Sequence, residues 1–388
     1  MNSLGNFPDP EPSAPAPSPR PGITPPPDPF LSEILGQPDA ILRAAGLLTD
    51  QLGTLTTLAR PRADRPLLVF TGMGASYHAC YPAVTELADR GVPALHVDAA
   101  ELLHFRTKLL EDGALVVLVS QSGESAEVVQ LANELAGAAR GPFTVSITNG
   151  LDNRLASSCD ATIDTGAGNE GGPSTLTFAA SLVTLAAVAE VLAGVDPRLL
   201  VDRVRASATK AAAGAAELLR VPEGAASTLA SWQGGRPVTV LLGRGAARAA
   251  SEMGALLVKE TAGLPAEALQ SGQFRHGPLE LAGPEMAAIV FATEPETASL
   301  DRRLGTDLIA AGAAVLMVTA DAAGEASGRP LARNDGAGTL HLAVDPVDRL
   351  LRPALAIVPV QLLAWRLALE RGRTPGLLTR ATKVTARE

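Results

Sequence analysis

The stretch LVVLVSQSGESAEVV, Leu115 to Val129, limits what this chain can fold into more than any other. Its opening run of Val and Leu predicts a strand buried on both faces, of the kind found inside a parallel sheet. The run passes into Ser120, Gln121, Ser122, Gly123 and Ser125, and the apolar spacing that follows predicts a helix. A strand, a hydroxyl-rich turn and a helix start put unpaired backbone N–H groups and several hydroxyls at one point, a chemistry suited to phosphate. The same residues serve equally well as plain turn and cap residues, with Glu124 capping the first turn. The stretch by itself therefore fixes topology and leaves its ligand open. No Lys follows Gly123 as a P-loop requires, so an ATPase is not expected.

The chain has 388 residues, 46% of them apolar, enough for two domains with their own cores at roughly 150 residues each. A formal net charge of −9 gives no general attraction to nucleic acid, and no nucleic-acid partner is expected. Cys80 and Cys159 form neither a CxxC nor a Cys/His pattern, so no disulfide framework, metal site or cofactor is indicated. No basic start leads into an apolar stretch, and no run of about 18 uninterrupted apolar residues occurs. A soluble, cytoplasmic protein without a membrane partner is the expectation.

Residues 1–29 hold eleven of the thirty prolines and predict a disordered tail. A helical segment opens at Phe30, in FLSEILGQPDAILRAAGLL. Strand-like runs then follow at Leu67 to Phe70, Ala94 to Val97, Leu115 to Val119, Phe143 to Ile147 and Ala161 to Asp164. A helix is expected from about Ala99. The first strand ends in TGMGASYHA, where Gly72 and Gly74 permit a tight turn near a ligand and Ser76 offers a hydroxyl. His78 reads as a packed or surface histidine. A Gly-rich loop, GNEGGPST, feeds a long apolar helix at whose start Ser174 and Thr175 can cap or touch substrate. Ala-rich helices join this half to a second. There Val238 to Leu242, Ala287 to Phe291, Ala314 to Val318 and Leu340 to Val344 repeat the strand signal, and Arg352 to Leu369 supplies a further helix. The boundaries are a tail over 1–29, a first unit over 30–200, a helical linker over 201–232, a second unit over 233–375 and a polar tail over 376–388 without an obvious partner. Alternation of strands and helices predicts an α/β fold, each unit a doubly wound parallel sheet flanked by helices.

One constellation goes beyond a scaffold. In KETAGLPAEALQSGQFRHGPLEL, a helix ends in Glu260 and a loop leads to His276, so one connection carries a carboxylate and an imidazole. Aldose–ketose interconversion needs a base to move a proton between carbons 1 and 2 and a second group to open the ring, and these types suit both tasks. The plain alternative is a surface Glu, a histidine packed beside the Gly277–Pro278 turn, and a structural ion pair between Glu267 and Arg275.

Taken in order, TGMGASYHA, SQSGES, GNEGGPSTLTF, GRGAARAASEMGALLVKE, AEALQSGQFRHGPLEL, VPVQLLAWRLAL and the terminal TKVT resemble the double-SIS sugar isomerase family over roughly residues 30–388. The resemblance implies two tandem flavodoxin-like SIS domains that bind a phosphorylated sugar at the interface of a homodimer. It implies that Gly74, Ala75, Ser76, Ser120, Gln121, Ser122 and Ser125 surround the sugar phosphate, with Ser174 near the sugar hydroxyls. It gives Glu260 the role of enolising base and His276, reaching in from the neighbouring subunit, that of ring opener. Lys383 aligns with a lysine that meets the open-chain carbonyl and can form a Schiff base with it.

The chain departs from family members that also carry a glutaminase. A Pro-rich segment stands where the glutaminase and its N-terminal cysteine would be, so glutamine hydrolysis is not expected. Ala75 replaces a hydroxyl, Leu176 stands in STL where STK is usual, and the terminal segment is one residue shorter around Lys383. The expected activity is an aminosugar-6-phosphate deaminase or isomerase acting on a glucosamine-6-phosphate-like substrate. A fructosamine-6-phosphate deglycase and a non-catalytic sugar-phosphate sensor are the alternatives.

Overall fold

The structure, a computed structural model, describes residues 28–60, 67–110, 113–138, 141–320, 332–334 and 338–385. The expected N-terminal tail lies outside the described residues up to position 27. Its last two residues belong to structure instead. Asp28 Oδ1 accepts from Leu31 N at 2.9 Å, capping the helix Pro29–Leu35, and its Oδ2 accepts from Trp365 Nε1 at 2.5 Å. Proline at the first helical position loses no hydrogen bond, since that N–H has no partner within the helix.

In the first unit, β1 (Leu68–Gly72), β2 (Ala94–His96), β3 (Leu115–Val119), β4 (Phe143–Thr148) and β5 (Ala161–Asp164) form a parallel sheet in the order β2-β1-β3-β4-β5. In the second, β6 (Val238–Gly243), β7 (Glu267–Gln270), β8 (Met286–Ala292), β9 (Ala314–Thr319), β10 (Ala332–Asn334) and β11 (Thr339–Ala343) are ordered β10-β11-β9-β8-β6-β7. Only β10 is antiparallel, at the edge. With β10 set aside, both sheets have the flavodoxin-like order, second-first-third-fourth-fifth, and the tandem repeat expected from sequence holds at the level of topology.

Every residue of β1, β3 and β8 is buried, as continuous apolar runs between two helical layers require. The helix Leu176–Leu192 is apolar on all sides, and all but its last residue are buried. The largest core cluster is continuous through both units: Val117 and Ile147 of the first sheet and Leu241 and Ile289 of the second belong to it, with this helix between them. Arg352–Glu370 is long and apolar enough to cross a membrane, but it is mostly buried in the same core.

Several elements differ from expectation. β7 lies in what the sequence presents as a loop, because EALQ has one apolar side chain pair and is half-exposed at a sheet edge. β10 was not expected either. The helix expected from Ala99 is a single turn that continues as a π-helical segment, Leu102–Arg106. The helix expected over Arg352 to Leu369 breaks at Ile357 into Arg352–Ala356 and Val358–Glu370.

The N-terminal helices are tied to the far end of the chain by a buried amide pair. Gln37 Nε2 donates to Gln361 Oε1 at 2.8 Å, and Gln361 Nε2 returns a bond to Gln37 Oε1 at 2.9 Å. Gln37→Ala leaves Gln361 buried without this partner and is expected to cost about 1–3 kcal/mol in chemical denaturation.

Candidate functional site

Ligands of doubly wound sheets sit beyond the carboxyl ends of the strands where the order reverses, here between β1 and β3. A cavity of about 320 Å³ opens at that place in the first unit. Met73 to Ser76 line it from the turn after β1, Gln121, Ser122 and Ser125 from the turn after β3, and Pro173 and Ser174 from the GNEGGPST loop. The second unit contributes Leu256 and Glu260, one helical turn apart on Arg248–Ala262, and the C-terminal tail contributes Leu378 and Ala381 to Lys383. Of the eleven residues singled out from sequence, nine line this one cavity: Gly74, Ala75, Ser76, Gln121, Ser122, Ser125, Ser174, Glu260 and Lys383.

The remaining two lie elsewhere. Ser120 is buried behind the wall, its Oγ 3.1 Å from Ser125 Oγ. His276 is exposed on the surface after the short helix Ser271–Phe274 and does not reach the cavity of its own chain. The alternative ion pair of Glu267 with Arg275 does not form: Arg275 Nη2 pairs with Asp307 Oδ2 at 2.6 Å, across to the neighbouring helix.

Gly123 turns the chain after β3 at φ +65°, a conformation L side chains rarely adopt, and Glu124 N donates to Ser122 Oγ at 3.1 Å. Ser125 stands at the cap of the helix Ala126–Ala136 yet makes no side-chain cap bond. Glu124 does not cap this helix as expected; its Oε1 accepts from Arg154 N at 2.9 Å in the neighbouring turn. Ser122 and Ser125, at the start of an 11-residue helix, thus line the same cavity, where the helix dipole favours an anion.

Glu260 brings a carboxyl group to the cavity wall from the second unit. Burial raises its carboxyl above the ordinary carboxylate value, with the nearby Lys383 and Lys259 ammonium groups pulling it back down and Glu170 pushing it up. A carboxylate lifted this way is, when ionised, a stronger base than an exposed one.

Glu170 and Glu33 received no role from the sequence. Glu170 Oε1 accepts from Thr175 N at 2.7 Å and Thr177 N at 3.1 Å, so it, not Ser174, caps the helix Leu176–Leu192. Ser174 Oγ meets Thr177 Oγ1 at 2.6 Å. Glu170 Oε2 accepts from Lys383 Nζ at 2.7 Å, and Lys383 also donates to Gly172 O at 2.6 Å. Glu33 Oε1 accepts from Gly171 N at 2.6 Å and Gly172 N at 3.3 Å; burial pushes its carboxyl up, with these two amides opposing. The tail from Gly376, expected to have no partner, is therefore docked: besides Lys383, its Thr385 O accepts from Ala126 N at 3.0 Å. GNEGGPST displays both Glu170 and its glycines, but nothing local tells that the carboxylate reaches Lys383, 213 positions away.

The second unit is built differently at the corresponding place. After β8 comes Glu294, which is buried and paired with Arg349 Nε at 3.1 Å and Arg352 Nη1 at 3.4 Å. Burial raises the Glu294 carboxyl against the pull of Arg352 and Arg349. A carboxylate and its two guanidinium partners fill the position that hydroxyls line in the first unit, and a phosphate there would meet a like charge. Among the described residues, no cluster of His, Cys, Asp and Glu is arranged to hold a metal ion.

Two tandem flavodoxin-like sheets, with a hydroxyl-lined cavity beyond the strand ends of the first and a helix of the second completing its wall, define a class of tandem α/β proteins. The chain belongs to the SIS-domain family, whose pattern matches residues 63–191 and 239–371. It is 29% identical over 360 residues to a glutamine–fructose-6-phosphate aminotransferase (isomerizing) of Pyrobaculum aerophilum, a match covering 89% of this chain and 55% of that protein. The chain thus spans about half the length of the curated relatives it matches. The C-terminal domain of glucosamine-fructose-6-phosphate aminotransferase from Francisella tularensis superposes with a TM-score of 0.76 at 23% identity, over 88% of this chain and 96% of that one. Glucosamine-6-phosphate deaminase from Thermotoga maritima shares the fold with a TM-score of 0.68 at 20% identity, over 92% and 98% of the two chains.

Proposed function

We propose that this protein is a cytoplasmic enzyme that enolises an aminosugar 6-phosphate of the glucosamine-6-phosphate type between carbons 1 and 2 and releases ammonia. One observation carries this reading: a desolvated carboxylate, Glu260, shares a cavity with the serine turn at a helix N-terminus. A base and a hydroxyl-rich turn in one cavity suit a substrate that carries both a phosphate and an acidic C–H.

In this reading Ser76, Gln121, Ser122 and Ser125 hold the phosphate with the turn amides, Gly74 and Ala75 leave room for it, and Ser120 orients Ser125. Ser174 meets the sugar hydroxyls. Glu260 takes the proton from one carbon and returns it to the next, and the Lys383 ammonium steadies the oxygen or imine nitrogen on which negative charge develops. Loss of ammonia then needs only water and these groups, with no cofactor. His276 opens the ring from a second copy, because its exposed position puts it outside its own cavity, so the working form is a homodimer. The two catalytic units are residues 30–200 and 233–375, joined by the 201–232 helices and completed by the tail from 376.

The test is incubation with glucosamine 6-phosphate and with its galacto isomer, following ammonia and ketose phosphate. Release of both from either sugar supports the reading. Ketose phosphate formed from an aldose 6-phosphate, with no ammonia released from either aminosugar, makes the protein a plain isomerase, and release of amino acid from a fructosamine 6-phosphate makes it a deglycase. Ser122→Ala is expected to remove one charge-assisted hydrogen bond to phosphate, worth on the order of 1–3 kcal/mol, and so to raise KM about tenfold or more with kcat within a few-fold of wild type.

A further inference from the structure

Two carboxylates that proton transfer does not use, Glu170 and Glu33, stand behind the cavity wall, bonded to Lys383 and to the Gly171–Gly172 amides. Glu170 is distinguished by how completely its oxygens are engaged. Its side chain is fully buried; one oxygen accepts two backbone N–H groups of the Leu176–Leu192 helix start, and the other accepts from Thr177 Oγ1 at 2.5 Å and Lys383 Nζ at 2.7 Å. That helix lies in the shared core and offers a fixed point. Lys383, by contrast, sits in a segment with neither helix nor strand, its side chain 26% exposed, where a long amine left to itself samples many rotamers. The second acceptor of Lys383, Gly172 O, belongs to a loop whose two amides are held by Glu33 from the N-terminal helix Pro29–Leu35.

Two separate rigid elements therefore converge on one ammonium through two carboxylates. We propose that Glu170, with Glu33 behind the loop, is a positioning residue that fixes the Lys383 ammonium at the cavity and thereby joins the C-terminal tail to the site. This rests on reading the cavity as a phosphosugar site. A helix cap alone needs one carboxylate oxygen and no cation, and Glu170 already satisfies that need with Oε1. The second oxygen is shared by the Thr177 hydroxyl and Lys383, its one cationic partner among the described residues, and removing that partner from a buried charge is costly.

The test compares wild type with Glu170→Gln, which keeps an oxygen for the helix amides and removes the charge that holds the ammonium. Hydrogen exchange followed by mass spectrometry needs no substrate. Peptides spanning 377–385 are expected to exchange at least tenfold faster in Glu170→Gln, while those from β1 and β3 stay unchanged. Glu33→Gln is expected to speed the tail less. If Glu170→Gln does not fold, Lys383→Met breaks the pair from its exposed side and is expected to give the same tail exchange. Equal tail exchange in the variant that folds and in wild type overturns the proposal.

With a substrate in hand, Glu170→Gln is expected to lower kcat tenfold or more and change KM less than about twofold, with partial recovery in Glu170→Asp. The pH profile separates positioning from bare charge. Lys383, Lys259 and Glu170 are the charged groups that act on Glu260, and Lys383 acts more strongly than Glu170. Release of Lys383 moves the acid limb of kcat/KM to higher pH. Loss of the Glu170 charge with the lysine still in place moves it lower, and that result overturns the proposal. If no 6-phosphosugar reacts although the tail is released, positioning stands and the enzymatic reading of the cavity fails.

Discussion

Glu260→Gln is expected to lower kcat by about a thousandfold while KM stays within a few-fold, because general-base transfer contributes roughly 10²–10⁴ and the amide keeps the shape of the side chain. The wild-type profile of kcat/KM should fall on its acid side at a pH above that of an exposed glutamate, since burial lifts the Glu260 carboxyl and a base must be ionised to act. Stability carries the opposite sign. A carboxyl raised in the folded state costs stability wherever it is ionised, so the cost is present above its folded pKa and vanishes below its unfolded one. Glu260→Gln removes that cost, and its Tm at pH 7 is expected to equal or exceed that of wild type. A variant that loses turnover and several degrees of Tm together would assign Glu260 a structural role.

Gly123→Ala is expected to be the most damaging single-methyl change in the first unit. At φ +65° an alanine is strained, and its Cβ would collide with the Asn153 side chain. Asn153 cannot turn aside freely: its Oδ1 accepts from Ala156 N at 2.9 Å to cap the next helix and its Nδ2 donates to Gly150 O at 2.9 Å. Strain and broken caps together should cost about 2–4 kcal/mol in chemical denaturation. The same displacement shifts Ser122 and Ser125, so binding of a 6-phosphosugar, read by thermal shift, should be lost at concentrations that saturate wild type. A stability change below about 0.5 kcal/mol with binding intact would show that the turn tolerates a side chain.

What could be read from sequence was whatever is contiguous. A buried strand, its turn and its helix lie within Leu115 to Ala136, so periodicity and residue type announce them together, and the same holds for β1 with Gly72 to Ser76. Glu260 was legible as a candidate because it ends a helix within one connection. β7 was not, because a short strand at the sheet edge needs no apolar run, and only the repeat of the first unit's order asks for a strand there. Glu33, Glu170 and Lys383 come from three separate parts of the chain, and their convergence depends on packing that no local pattern encodes. His276 shows the same limit in reverse, since its exposed position on this chain carries no contact from which a role could be read.

Deuterium uptake tests most directly whether Glu260 moves a proton between carbons 1 and 2 of a phosphorylated sugar. A panel of aldose, ketose and aminosugar 6-phosphates is incubated with the protein in D₂O and followed by proton NMR. The expected result is loss of the carbon 2 proton of an aldose, or of one carbon 1 proton of a ketose, with wild type and not with Glu260→Gln. Full retention of both signals across the panel, with phosphosugar binding shown by thermal shift, would contradict it.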